Sequence, residues 1–134
     1  MKELTNREMI EKAMTVLRPI KLAHANEAGE VACALLSASG NIYLGVCIDV
    51  CGGMGFCAEH SAIAAMITAG ETRISKIVAV GNNNRILSPC GRCREFMAQI
   101  DVMNFDCTDV ILGEDRVVKL QELLPHQFGE VWNT

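Results

Sequence analysis

The chain has 134 residues, half of them hydrophobic and 21% charged, with a formal net charge of -4 and a pI near 5.3. That composition excludes a disordered chain, and the acidic balance leaves no overall basic field to hold a polynucleotide. No apolar run approaches the roughly 18 residues needed to span a bilayer, so a single domain over residues 1–134 without membrane partners is expected.

The elements follow in chain order. Thr5 and Glu8 fit a capping box, and Met9, Ile10, Ala13, Met14 and Leu17 line one face of the helix it starts, which Pro19 ends. After the polar stretch HANEAGE, the segment VACALLSASGNIYLGVCIDV reads as two apolar strands turning at Ser39-Gly40-Asn41. CGGMG, 51–55, is a glycine loop suited to a wall that approaches a ligand closely. Residues 57–69 form a second helix closed by Gly70, and KIVAVG, 76–81, is a candidate buried central strand. Asparagines 82–84 turn the chain into a third helix over 90–100, with Phe96, Met97 and Ile100 as its apolar stripe. DVIL and RVVKL are two further strands, and QELL before Pro125 is a last helical turn. This order predicts an α/β domain of three α-β-α layers around a five-stranded mixed sheet.

Seven cysteines are too many to dismiss. The N-terminus MKELTNREMIEKAM lacks a signal-type apolar core, which predicts a cytoplasmic chain whose thiols stay free for metal or catalysis. Cys90 and Cys93 form a C-x-x-C pair behind Pro89 at a predicted helix start. That spacing lets two thiolates reach one tetrahedral ion, although redox pairs share it. Cys57 heads another predicted helix, where the partial positive charge of a helix N-terminus favours thiolate over thiol. Three such thiolates leave one position of a zinc ion open, the layout of a catalytic site. Cys51 as a fourth ligand would instead close the site and make a zinc-stabilised binding module without catalysis. Cys33 and Cys107, in apolar surroundings, read as small core residues, and His24 and His126 as surface or capping groups.

CAE at 57–59 followed by PCGRC at 89–93 resembles the zinc-dependent cytidine deaminase superfamily in its three-cysteine form, a signature pairing a ligand, a glutamate two residues on, and P-C-x-x-C. ALLSASGNIYLGV and ELLP are similar to that family's hairpin and tail. VACALLSASG, VGNNNRILSPCGRCRE and the Val131-Trp132 ending look most like its blasticidin-S deaminase branch. The resemblance implies Cys57, Cys90 and Cys93 as zinc ligands and Glu59 as the catalytic acid–base. Glu59 would take a proton from the attacking water and deliver it to ring N3 and then to the leaving amine. By the same analogy the Ala58 N–H would hold the pyrimidine O2, and the Ser88 carbonyl would face the amine. The implied reaction converts a cytosine-type nucleoside (cytidine, deoxycytidine or blasticidin S) to its uracil form with release of ammonia. The implied assembly is a homo-tetramer, or a dimer. Another amino-heterocycle, guanine or a pterin, is the expectation if those substrates fail.

Zinc at +2 with three thiolates sums to -1, and the helix dipoles counter only part of this. Relatives often carry arginine directly after the glutamate, where this chain has His60. The offset is therefore expected from Arg92, with Arg94 and His60 behind it. The asparagine and glutamate that read the ribose in ordinary members correspond here to Cys47 and, nearby, Asp49. Asp49, Asn41 and Glu30 are polar candidates at the sugar end, an acidic one suiting a cationic arm such as the guanidinium of blasticidin S. Trp132 is expected either to stack over the substrate or to dock in the core or at an interface.

Overall fold

The computed structural model describes residues 4–133; the first three residues of MKELTNREMIEKAM and Thr134 lie outside them. Helix α1, Asn6–Met14, begins at the expected capping box: the Thr5 side chain accepts the Glu8 N–H, and Glu8 accepts the Thr5 N–H. Strand β1, Ile20–Lys21, is followed by the hairpin of β2, Glu27–Ser37, and β3, Ile42–Asp49. Helix α2, Ala58–Thr68, precedes β4, Ile74–Gly81, and β5, Arg85–Leu87. Helix α3, Gly91–Ile100, and the single turn α4, Asn104–Cys107, lead to β6, Asp109–Gly113, and β7, Arg116–Lys119. Leu120–Leu123 and Phe128–Asn133 are 3-10 turns.

Five strands run side by side in the order β3-β2-β4-β6-β7, and β1 and β5 extend the sheet on β2 and β4. The β4–β6 pair is parallel and the other pairs are antiparallel, so the sheet is mixed. The expected five strands are thus present, with two short additions that carry too few residues to show a period.

The period of two in β2 divides the core. Ala32, Ala34 and Leu36 join Val78 and Val80 under Met9 and Ala13 of α1. Cys33 and Leu35 face the other way, toward Ala62, Ile63 and Met66 of α2 and Met97 of α3. Helices cover both faces, which gives the three α-β-α layers. Strand β3 meets α2 almost backbone to backbone. A Cβ built on Gly45 would lie 2.3 Å from the Ala62 nitrogen and 2.8 Å from the Ala58 carbonyl oxygen, a gap that only glycine fits. The Ser61 hydroxyl donates to the Val46 carbonyl at 2.7 Å across the same seam. In β2 the register slips between Ala28 and Ala32, and Gly29, at φ +82°, carries this bulge past the Arg18 carbonyl.

Two expectations change. Cys33 is fully buried, but Cys107 is exposed, because the chain before β6 coils into α4 instead of extending. That turn is held by Asn104, which is fully buried. Its Oδ1 accepts the Ile74 N–H at 2.8 Å, and its Nδ2 donates to the Thr72 and Met97 carbonyls at 3.1 and 3.0 Å. No helix of the described residues is long and apolar enough to cross a membrane.

Candidate metal and deaminase site

Cys57 and Cys90 are the N-cap residues of α2 and α3, and neither side chain makes a capping hydrogen bond. A serine or threonine there would turn its oxygen onto the first-turn N–H groups. The two cysteines instead turn their sulfurs toward each other, 3.4 Å apart, and Cys93 Sγ lies 3.5 Å from Cys90 Sγ. All three sulfurs fall within 4.8 Å of one another, and among the described residues they are the one such group of possible metal donors. Zn–S bonds of about 2.3 Å place tetrahedral ligand sulfurs about 3.8 Å apart, so the triad fits zinc with little adjustment. Cys51 lies outside the group: it is exposed, and its thiol donates to Asn26 Oδ1 at 3.4 Å. The closed four-cysteine arrangement therefore has no support.

The helix heads also set the electrostatics. Burial pushes the Cys90 thiol up, but the N–H groups of Cys93 and Arg92 and the thiols of Cys57 and Cys93 outweigh it and hold Cys90 below the usual range. Burial raises Cys57, and it raises Cys93 far more, with the nearby Glu59 adding to the latter. Thiols so unwilling to ionise alone are suited to a cation that takes the charge. Glu59, in the first turn of α2, is only 5% exposed. Burial raises its pKa, and its own backbone N–H and the Cys93 thiol pull it partly back.

Cys57, Cys90 and Glu59 line a cavity of about 400 Å³, with the buried Cys93 behind them. Ala58, Ser88, Cys47, Asp49, Glu30 and Arg92 line it as well, so most of the sequence-derived positions converge. Cys47 is held in place on both sides: its sulfur accepts the Val31 N–H at 3.3 Å, and its thiol donates to Asp49 Oδ2 at 3.4 Å.

Four further positions are placed as follows. Arg94 turns away from the sulfurs to the oxygens of Pro89, Leu123 and Ser88. Arg92 lines the same cavity as Cys57 and Cys90. Asn41 binds Glu71 on the hairpin turn, away from the cavity. Trp132 is 64% exposed, sets its edge against Phe128 at 5.1 Å, and lines a separate groove with Ala98, Gln99 and Phe105. The side chain beside a ligand sulfur is His60, whose Nδ1 is 3.4 Å from Cys93 Sγ. Its ring stacks on Phe96 at 4.3 Å, which fixes the plane of the contact.

The chain matches the family model "Cytidine and deoxycytidylate deaminase zinc-binding region" over residues 6–108. It belongs to that family, and zinc is the metal its cysteines serve. The cytidine deaminase of Aliivibrio fischeri is 39% identical over 94 residues, covering 68% of this chain and 29% of that protein's length. The cytidine deaminase of Halalkalibacterium halodurans is 31% identical over 104 residues, covering 74% of this chain and 76% of its own. A crystal structure of cytidine deaminase from Mycobacterium tuberculosis superposes with a TM-score of 0.78 at 23% identity, over 95% of this chain and 99% of that one. That superposition is evidence of a shared fold.

Proposed function

We propose that this chain is a zinc-dependent hydrolytic deaminase of free cytosine-type nucleosides, cytidine, deoxycytidine or blasticidin S, releasing the uracil form and ammonia. The observation that carries the reading is the cluster of three sulfurs, two of which, Cys57 and Cys90, share the wall of one cavity with the buried carboxylate of Glu59. Cys57, Cys90 and Cys93 hold the zinc. When bound, it supplies the Lewis acidity that lowers the pKa of a water to about 7. Glu59 accepts the proton of the attacking water, passes it to ring N3, and then protonates the departing amine. A carboxylate whose pKa burial has raised is a stronger base than an ordinary one and takes that proton up more readily. The Ala58 N–H holds the pyrimidine O2 and the Ser88 carbonyl orients the amine, both from the cavity wall.

A cavity of about 400 Å³ suits a nucleoside, and the net charge of -4 disfavours a polynucleotide. At the sugar end, Cys47 replaces an amide, while Asp49 and Glu30 offer carboxylates to a cationic substituent. That favours the blasticidin-S deaminase branch. His60, placed against Cys93, offers that sulfur an N–H, and Arg92 on the cavity wall supplies the positive charge. The exposed Phe128, Val131 and Trp132 support a homo-tetramer with the tail at a subunit contact. Seven free thiols support a cytoplasmic protein.

The test is an ammonia-release panel of cytidine, deoxycytidine, cytosine and blasticidin S, run beside a zinc determination. Release from at least one nucleoside at one zinc per chain is expected. Silence on all of them at full zinc occupancy would sink the reading and direct attention to guanine or a pterin. Cys51→Ser should keep both zinc and activity.

A further inference from the structure

We propose that Arg94 is a positioning residue that braces the Ser88-Pro89-Cys90 segment against the C-terminal turn, and so sets where the Cys90 sulfur and the Ser88 carbonyl stand. Every hydrogen bond of its guanidinium goes to an oxygen on this path. Nε donates to the Pro89 carbonyl at 2.8 Å, Nη2 to the Ser88 hydroxyl at 3.2 Å, and Nη1 to the Leu123 carbonyl at 3.0 Å. A planar fork of five N–H donors reaches three acceptors at fixed angles, which an ammonium on a flexible stem cannot reproduce.

The two residues so braced matter because both Ser88 and Cys90 line the cavity. Ser88 and Cys90 are exposed on either side of the buried Pro89, and the Cys90 sulfur meets those of Cys57 and Cys93, so the Arg94 fork is the side-chain tie that joins this segment to the C-terminal turn. The next residue continues the tie, since Glu95 Oε1 accepts the Phe128 N–H at 2.7 Å. Consecutive residues of α3 thereby fasten the chain beyond Lys119 to the helix that presents two of the three sulfurs. The turn at Leu120–Leu123 is in this view part of the metal site's framework, although it lies far from it in sequence. The claim about Cys90 needs only the metal site; the claim about Ser88 rests on the proposed deamination.

The experiment separates fork geometry from charge. Arg94→Lys keeps the charge and loses the fork, whereas Arg94→Gln loses both. Zinc release to a chromophoric chelator, the thiolate-to-metal absorption of the cobalt-substituted protein, and kcat and KM for cytidine are measured on each. The expected result is that Lys and Gln behave alike, releasing zinc about 10- to 100-fold faster than the parent. They should also shift the cobalt band and lower kcat more than they raise KM. Wild-type zinc retention in Arg94→Lys would overturn the proposal in favour of simple charge. Unchanged retention in both variants would overturn it outright. If neither variant folds, Ser88→Ala removes one of the three bonds and should speed release about threefold; an unchanged rate there overturns the proposal. Altered zinc release without any nucleoside deamination would leave this inference standing and remove the proposed function.

Discussion

His60 Nδ1 lies 3.4 Å from Cys93 Sγ, joining the helix that bears Glu59 to the one that bears Cys93. With Cys93 bound to a metal as a thiolate, that sulfur could only accept, and the ring nitrogen would carry the hydrogen. His60→Phe preserves a stack on Phe96 and deletes the donor. Zinc affinity measured by chelator competition should fall about 10- to 100-fold, with His60→Asn between that variant and the parent. Equal affinities in all three proteins would dismiss the contact as incidental.

Glu59→Gln removes the proton carrier and leaves the sulfurs in place. Turnover of the best nucleoside should drop about 10²- to 10⁴-fold while zinc stays at one per chain. Because the mutation relieves a carboxylate that is only 5% exposed, the urea midpoint should stay or rise. A large fall in stability would mean that Glu59 is chiefly a structural group.

Asn104 is the polar keystone of the second core. Asn104→Ala strands the buried Ile74 N–H and two carbonyls. A loss of about 2–4 kcal/mol is expected in equilibrium unfolding, with the zinc stoichiometry of the folded fraction unaltered. A loss within experimental error of zero would contradict that account.

Glu71 ties the hairpin turn to the end of α2. Its carboxylate accepts from the Ser39 hydroxyl, from Asn41 Nδ2 at 3.0 Å and from the Tyr43 hydroxyl at 2.6 Å, and these donors pull its pKa from 4.5 down to about 2. A folded-state pKa below the unfolded one stabilises fully above the unfolded value and loses that contribution as pH falls through the folded one. The stability gap between parent and Glu71→Gln should therefore be constant above about pH 5 and shrink between there and pH 2. A gap that stayed level over this range would refute the linkage.

The parts legible in sequence were those whose cause is local. The Thr5–Glu8 box needs four consecutive residues, and the three ligand cysteines declare themselves by spacing and by standing at helix starts. What sequence did not show depends on distant partners. The turn α4 exists through Asn104 bonds to residues 72, 74 and 97, and so Cys107 was read as strand-like core. Arg94 looked like a charge for the sulfurs because nothing nearby in the chain announces the Leu123 carbonyl. The contact of His60 with Cys93 was likewise hidden, since it joins two helices 33 positions apart.

The seam at Gly45 bears on how such a site can change. Main chain rests against main chain there, so the acid and the first sulfur are seated by atoms that every residue type shares. The neighbouring positions Cys47 and Asp49, whose side chains look into the cavity, can then be exchanged without unseating the reactive groups.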